Sequence, residues 1–294
     1  MAQEGVSAGS TRAAFAAVRD AVRGMRWPAG QRVRSAVPGP HVSRVRGTSA
    51  EVVEYRPYRQ GDDPRRIDWK LLARTDRVHV RLAEERAIFP TMVVVDASAS
   101  MAFGAKWLGA GQVALGLAET ARQQGDPVGL VLGPRVIAPR SRRTVVDEMM
   151  HALEGRAAGT EPLAPAVAAA VQQAARVVVV SDFLGDAEAT VVEARAFVAG
   201  GGEVHAIHII DARELEPDPK QLLLSDPEAP DVRRPMPASA RAEYVRRFAT
   251  WREELARDWR QARARYAIVV PGAEPLRPLI RRLIAPTGAG RLRH

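Results

Sequence analysis

The segment Asp96-Ala97-Ser98-Ala99-Ser100 directly follows an apolar run at residues 92–95. In an extended chain alternate side chains share one side, so Asp96, Ser98 and Ser100 would project together while Ala97 and Ala99 face away. One carboxylate and two hydroxyls form an oxygen-only donor set of low charge. Such a set suits a hard divalent cation, Mg2+ or Mn2+, which keeps several of its own waters. A second apolar run, residues 177–180, ends in Ser181-Asp182 and offers another carboxylate. Between the two runs, Gly159-Thr160 precedes a proline-started helix and could bring a further hydroxyl to the same point. Thr144 is an alternative to Thr160, but it falls within a predicted helix. The same residues have a plainer use: Ser98 and Ser100 could cap the helix that follows, and Asp182 could accept backbone N–H groups in a tight turn. Spacing alone leaves both uses open.

The elements that must position these groups follow from the pattern around them. Both apolar runs are too short for helices, and the first is bounded by Pro90 and Asp96, as a buried parallel strand would be. Further strands are expected at 128–132, 204–210 and 267–270, with a short segment at 135–138 following the first of them. Helices are expected at 108–123, from a Ser141 cap to Leu153, from Pro162 onward, at 187–198 and at 276–284. Strands alternating with helices predict an α/β fold, a doubly wound and mostly parallel sheet whose ligands bind outside the carboxyl ends of the strands. Tyr244, Phe248, Trp251, Leu255, Trp259 and Tyr266 follow at helical spacing, and a core-facing helix is the expected reading. Residues 216–238, rich in proline and acid, read as a surface excursion.

Upstream, Phe15, Val18, Val22 and Met25 mark a short amphipathic helix. The texture then changes to β-branched residues, arginines and turn signals, with short strands expected at 42–46, 51–55 and 77–82. Three segments result: an N-terminal helix at 1–30, a small β-rich subdomain at 31–90, and a large α/β domain at 91–294.

The 294 residues include 43 Lys+Arg against 34 Asp+Glu, a formal net charge of +9, and no cysteine. Disulfides, zinc-thiolate sites, iron–sulfur clusters and a catalytic thiol are thereby excluded. The positive balance raises nucleic acid as a rival partner. Yet acidic residues are interspersed throughout, lysine stands only at 70, 106 and 220, and no basic block adjoins stacking aromatics. No apolar run approaches the roughly 20 residues of a membrane span, so a cytoplasmic protein is expected.

Two motifs together carry a resemblance. Asp96-x-Ser98-x-Ser100, Thr160 and Asp182 resemble the metal-ion-dependent adhesion site of von Willebrand factor A domains. Glu54-Tyr-Arg-Pro-Tyr-Arg-Gln-Gly-Asp-Asp-Pro-Arg-Arg-Ile-Asp-Trp-Lys70, followed by Ala73-Arg74-Thr75, looks like the signature of a bacterial family numbered 58 among domains of unknown function. That family accompanies MoxR-type AAA+ ATPases. The resemblance spans residues 30–215, and it implies a von Willebrand A-like domain that binds metal and a protein partner rather than catalysing a reaction. It further implies that the serines and the threonine coordinate, that the aspartates act partly through water, and that a client protein's acidic residue fills one open position. Many family members carry transmembrane helices before the signature, and this chain has none there, so it would be a soluble member. Within the signature, Gly61-Asp62-Asp63-Pro64 reads as a turn, Asp62, Asp63 and Asp68 as partners of neighbouring arginines, and Trp69 as a small hydrophobic core. The arginines Arg56, Arg59, Arg65 and Arg66 are the alternative docking surface for a partner.

An enzyme is the remaining rival. Asp96 after a buried strand is the arrangement of a haloacid-dehalogenase phosphatase, but the acid–base carboxylate needed two residues later is replaced by Ser98. No P-loop occurs, and the Gly-x-Ser-x-Gly sequence at Gly5–Gly9 follows no predicted strand, so it is not a nucleophile elbow. His205 and His208 stand three apart in a predicted strand, so they point to opposite faces and are no metal pair.

Overall fold

The computed structural model describes residues 8–28, 52–83, 88–155, 157–218, 223–225, 233–235 and 238–285. The chain separates into two compact units, residues 37–88 and residues 1–36 together with 89–294. The N-terminal helix α1 (Ala8–Ala21) therefore belongs to the larger unit.

The smaller unit holds β1 (Val52–Pro57), a single 3-10 turn at Pro64–Arg66, α2 (Trp69–Thr75) and β2 (His79–Ala83). The two strands pair antiparallel, with Arg56 opposite Val80. Proline at the first position suits the 3-10 turn, and Asp63 caps it by accepting from Arg65 N. Asp68 caps α2 through Lys70 N and Leu71 N, both at 3.0 Å. Asp62 takes Arg56 as its ion-pair partner, with two contacts of 2.6 and 2.8 Å. Trp69 departs from expectation. It is 63% exposed rather than a core residue, because α2 presents no buried face on which it could pack. The strand expected at 42–46 lies outside the described residues.

In the larger unit the elements run β3 (Thr91–Val95), α3 (Lys106–Gln123), β4 (Val128–Leu132), β5 (Arg135–Arg140), α4 (Thr144–Leu153), α5 (Leu163–Val171), β6 (Arg176–Ser181), α6 (Ala187–Ala199), β7 (Glu203–Ile209), α7 (Ala212–Leu215), β8 (Leu223–Ser225), β9 (Arg233–Pro235), α8 (Ala238–Gln261), β10 (Arg265–Val269) and α9 (Leu276–Ile284). Six strands form one sheet in the order β10-β7-β6-β3-β4-β5. All neighbours run parallel except the edge pair β4–β5. Strands β8 and β9 pair with each other in a separate two-stranded sheet.

Alternation along β3 divides the core in two. Val93 and Val95 face one side, with Phe15 of α1, Leu117 of α3, Met149 of α4 and Leu279 of α9. Met92 and Val94 face the other, with Val167 of α5, Val191 of α6 and Trp259 of α8. Helices therefore cover both faces, which is why β3 and β6 read as continuous apolar runs rather than alternating ones. Chain order reverses between β3 and β6, and that crevice is where open α/β sheets bind ligands.

Two local expectations are corrected. Ser141 does not cap α4, which begins three residues later; its hydroxyl donates to Gly125 O at 3.3 Å. Tyr266 lies on β10 rather than on the aromatic helix, because α8 ends at Gln261 and Arg263 takes a left-handed φ of 58°. Along α8, Leu255 and Trp259 are buried, whereas Tyr244, Phe248 and Trp251 are half-exposed and stack in series.

Candidate metal-binding edge

Asp96 is the first residue past β3, and its N–H still bonds to Val180 O of β6 at 2.9 Å. The chain then leaves the sheet in a 3-10 turn at Ala99–Ala102 rather than continuing extended. The serines still meet, by a tighter route than alternation would give: Ser98 Oγ and Ser100 Oγ are 3.0 Å apart. Two adjacent ligands on an octahedral Mg2+ with bonds of about 2.1 Å are themselves about 3.0 Å apart. Neither hydroxyl is used as a helix cap. Ser98 precedes the turn without a side-chain capping bond, and α3 begins at Lys106 behind Ala105. The Ala105 N–H is satisfied instead by Asp211 Oδ2 at 2.8 Å.

The Asp96 carboxylate is held by neutral donors, with Ser98 N on Oδ1 at 2.8 Å and the Ser181 hydroxyl on Oδ2 at 2.6 Å. It is 9% exposed. Burial pushes its carboxyl above the usual range, against the downward pull of the Ser181 and Ser98 hydrogen bonds, and the charge of Asp182 adds to the rise. Among the described residues no salt bridge reaches Asp96, so its ionised form gains from a nearby positive charge.

Gly159 N donates to Ala97 O at 2.7 Å, and a parallel bridge joins Ser98 to Gly159. That bridge sets the loop bearing the exposed Thr160 beside Ser98. Thr144 stands at the exposed start of α4. Asp182 also lies at this edge, one residue past β6, but with a different set of partners. Its Oδ1 accepts the Leu184 N–H at 3.2 Å, the turn role foreseen for it, and its Oδ2 accepts from Lys106 Nζ at 2.7 Å. Lys106 is 1% exposed and also donates to Glu214 Oε1 at 2.8 Å.

The donors at Asp96, Ser98 and Ser100 fit a small hard cation in chemistry, and the two serine hydroxyls fit it in spacing. The set is hydroxyl-rich: among the described residues, no group of three His, Asp or Glu side chains forms a metal cluster. His205 and His208 lie on opposite faces of the sheet, the first against Trp27 and the second against Phe183 and Trp251. In the smaller unit Arg59 and Arg65 are exposed, Arg56 is taken up by Asp62, and the side chain of Arg66 lies outside the described residues.

Sequence reasoning missed Lys106, Ser181 and Glu214. For Lys106 a signal existed: it falls on the same helical stripe as the buried Ala110, Val113 and Leu117, where a charge needs a buried partner.

The molecule is thus an α/β protein with a mostly parallel six-stranded sheet and an oxygen donor set at the reversal of its strand order. The chain belongs to the family described as Protein of unknown function DUF58, which matches residues 54–254. An uncharacterized protein of Mycobacterium bovis is 30% identical over 255 residues, covering 81% of this chain and 80% of the relative. An uncharacterized protein of Mycobacterium tuberculosis matches to the same extent. Among solved structures, a conserved hypothetical protein BatB from Bacteroides thetaiotaomicron aligns with a TM-score of 0.42 at 13% identity, over 65% of this chain and 95% of that one. An aerotolerance-related membrane protein from Bacteroides fragilis aligns with a TM-score of 0.41 at 14% identity, over 66% of this chain and 95% of that one. Among the described residues no helix is long and apolar enough to cross a membrane.

Proposed function

We propose that this protein is a non-enzymatic, divalent-metal-dependent protein-binding adaptor that works in the cytoplasm with a MoxR-type AAA+ ATPase. In this reading the larger unit is von Willebrand A-like, and its carboxyl edge is an adhesion-type site. The observation that carries the proposal is the pair of serine hydroxyls, 3.0 Å apart beside buried Asp96 and spent on no cap.

Asp96 supplies the negative charge, Ser98 and Ser100 supply neutral donors, and Thr160 stands on the loop bridged to Ser98. Mg2+ or Mn2+ held there would offer an electrophilic position to an incoming carboxylate. Ser181 keeps Asp96 aimed at the edge, and burial keeps bulk water from screening it. The client is then a protein presenting an Asp or Glu. A hydroxyl at Ser98, where acid–base chemistry would need a carboxylate, favours binding over hydrolysis. The exposed Arg59 and Arg65 of the smaller unit give the ATPase a separate, electropositive contact.

Titration calorimetry with Mg2+ and Mn2+ tests the proposal. Saturable binding that Asp96→Ala abolishes is the expected result. A folded wild-type chain that takes up neither ion overturns it.

A further inference from the structure

Lys106 is the most deeply buried cation near this edge, and its surroundings fix it there. Its Nζ lies 2.7 Å from Asp182 and 2.8 Å from Glu214. Glu214 is itself held, because its other oxygen accepts the Asp211 N–H at 2.7 Å in the capping box that starts α7. Asp211 in turn accepts the Ala105 N–H, immediately before Lys106. The lysine therefore cannot swing away without breaking α7 from the start of α3. With Leu184 N on its other oxygen, Asp182 has a donor on each side.

A buried ammonium between two carboxylates is held strongly, since removing one partner leaves an uncompensated charge in the interior. A divalent ion at Asp96, Ser98 and Ser100 would have to compete with Lys106 for Asp182. Without Asp182 it has one anionic ligand and keeps a net charge of about +1 at the site. We propose, resting on the adaptor reading above, that Lys106 is a fixed cation that withdraws Asp182 from the metal, so that Asp96 is the sole anionic protein ligand and an acidic partner residue is needed to complete the site. The chain thus trades metal affinity in isolation for a demand for carboxylate.

Mn2+ alone is the probe, followed by calorimetry and by loss of its free paramagnetic resonance signal up to about 1 mM, the weak end of the range for divalent oxygen-ligand sites. Asp182→Asn should leave Mn2+ affinity within about threefold of wild type, because a ligand already occupied is not lost, whereas Asp96→Asn should abolish binding. Lys106→Met should bind Mn2+ at least about tenfold more tightly, with Asp182 released to the ion. If Asp182→Asn weakens binding as much as Asp96→Asn does, Asp182 is a ligand and the inference falls while the metal reading stands. If folded wild-type protein takes up no Mn2+, the metal reading falls and this inference with it. Should Lys106→Met fail to fold, Asp182→Asn decides alone.

Discussion

The Ser181 hydroxyl donates to Asp96 Oδ2 at 2.6 Å across the seam between β6 and β3, and its oxygen accepts the Phe183 N–H at 2.8 Å. One small side chain thus aims the candidate metal-binding carboxylate and closes the turn after β6, where Phe183 takes a left-handed φ of 54°. Ser181→Ala leaves a buried N–H bare and removes a donor from a buried acid. The expected loss is about 1–3 kcal/mol in urea unfolding at pH 7. A loss under about 0.5 kcal/mol, the size of an ordinary surface change, would show that the bond holds nothing together.

His208 should make the fold acid-sensitive. Burial drives its pKa down to about 3, with Asp182 opposing the shift and Arg252 and Lys106 adding to it. In the unfolded chain a histidine takes up a proton near pH 6.5. Between 6.5 and 3 the unfolded state holds more protons than the folded one, so stability falls as pH falls. From pH 7 to pH 5 this one group should remove about 2 kcal/mol. His205, also held down by burial, acts in the same direction. Unfolding at the two pH values should therefore show a smaller difference for His208→Asn than for wild type; equal differences would rule the titration out.

Gly104→Ala should be severe. The residue has φ of 59°, and a Cβ there would overlap the Asp211 carboxylate and the Arg213 guanidinium. Displacing Asp211 removes the acceptor of the Ala105 N–H just before α3 and loosens the Glu214 support of Lys106. A loss of about 3 kcal/mol or more is expected, seen as a drop in Tm. Retention of wild-type Tm would mean that α7 does not depend on this contact.

Trp69→Ala, by contrast, should cost less than about 0.5 kcal/mol, since the ring is 63% exposed. If the smaller unit meets the ATPase, the same substitution should weaken a pull-down with the purified ATPase at unchanged stability. A loss of about 2 kcal/mol would instead return Trp69 to a core role.

The strands that build the edge were legible because burial on both faces leaves a run of valines with nothing to alternate: β3 and β6 stood out within a residue of their ends. The opposite facing of His205 and His208 followed from period-two geometry alone. Ser98 and Ser100 bring their hydroxyls to 3.0 Å of each other, but through a 3-10 turn rather than by the extended alternation expected. What the sequence could not show was partnership. Nothing local tells Asp182 that it will meet Lys106, 76 positions away, because that meeting depends on how α3 packs on the sheet. Trp69 misled for a related reason: an apolar ring predicts burial only where a neighbouring surface exists to receive it.

The contacts that define the edge are far apart along the chain. Ser181 reaches back 85 residues to Asp96, and Glu214 reaches back 108 to Lys106. A ribosome supplying about 5–20 residues per second needs on the order of ten seconds between releasing the first of these groups and the last. Until residue 214 has emerged, Lys106 lacks one of its two anions and Asp182 cannot be held as the finished molecule holds it. A chain stopped before that point leaves Lys106 with Asp182 as its one remaining carboxylate of the two it holds in the finished fold.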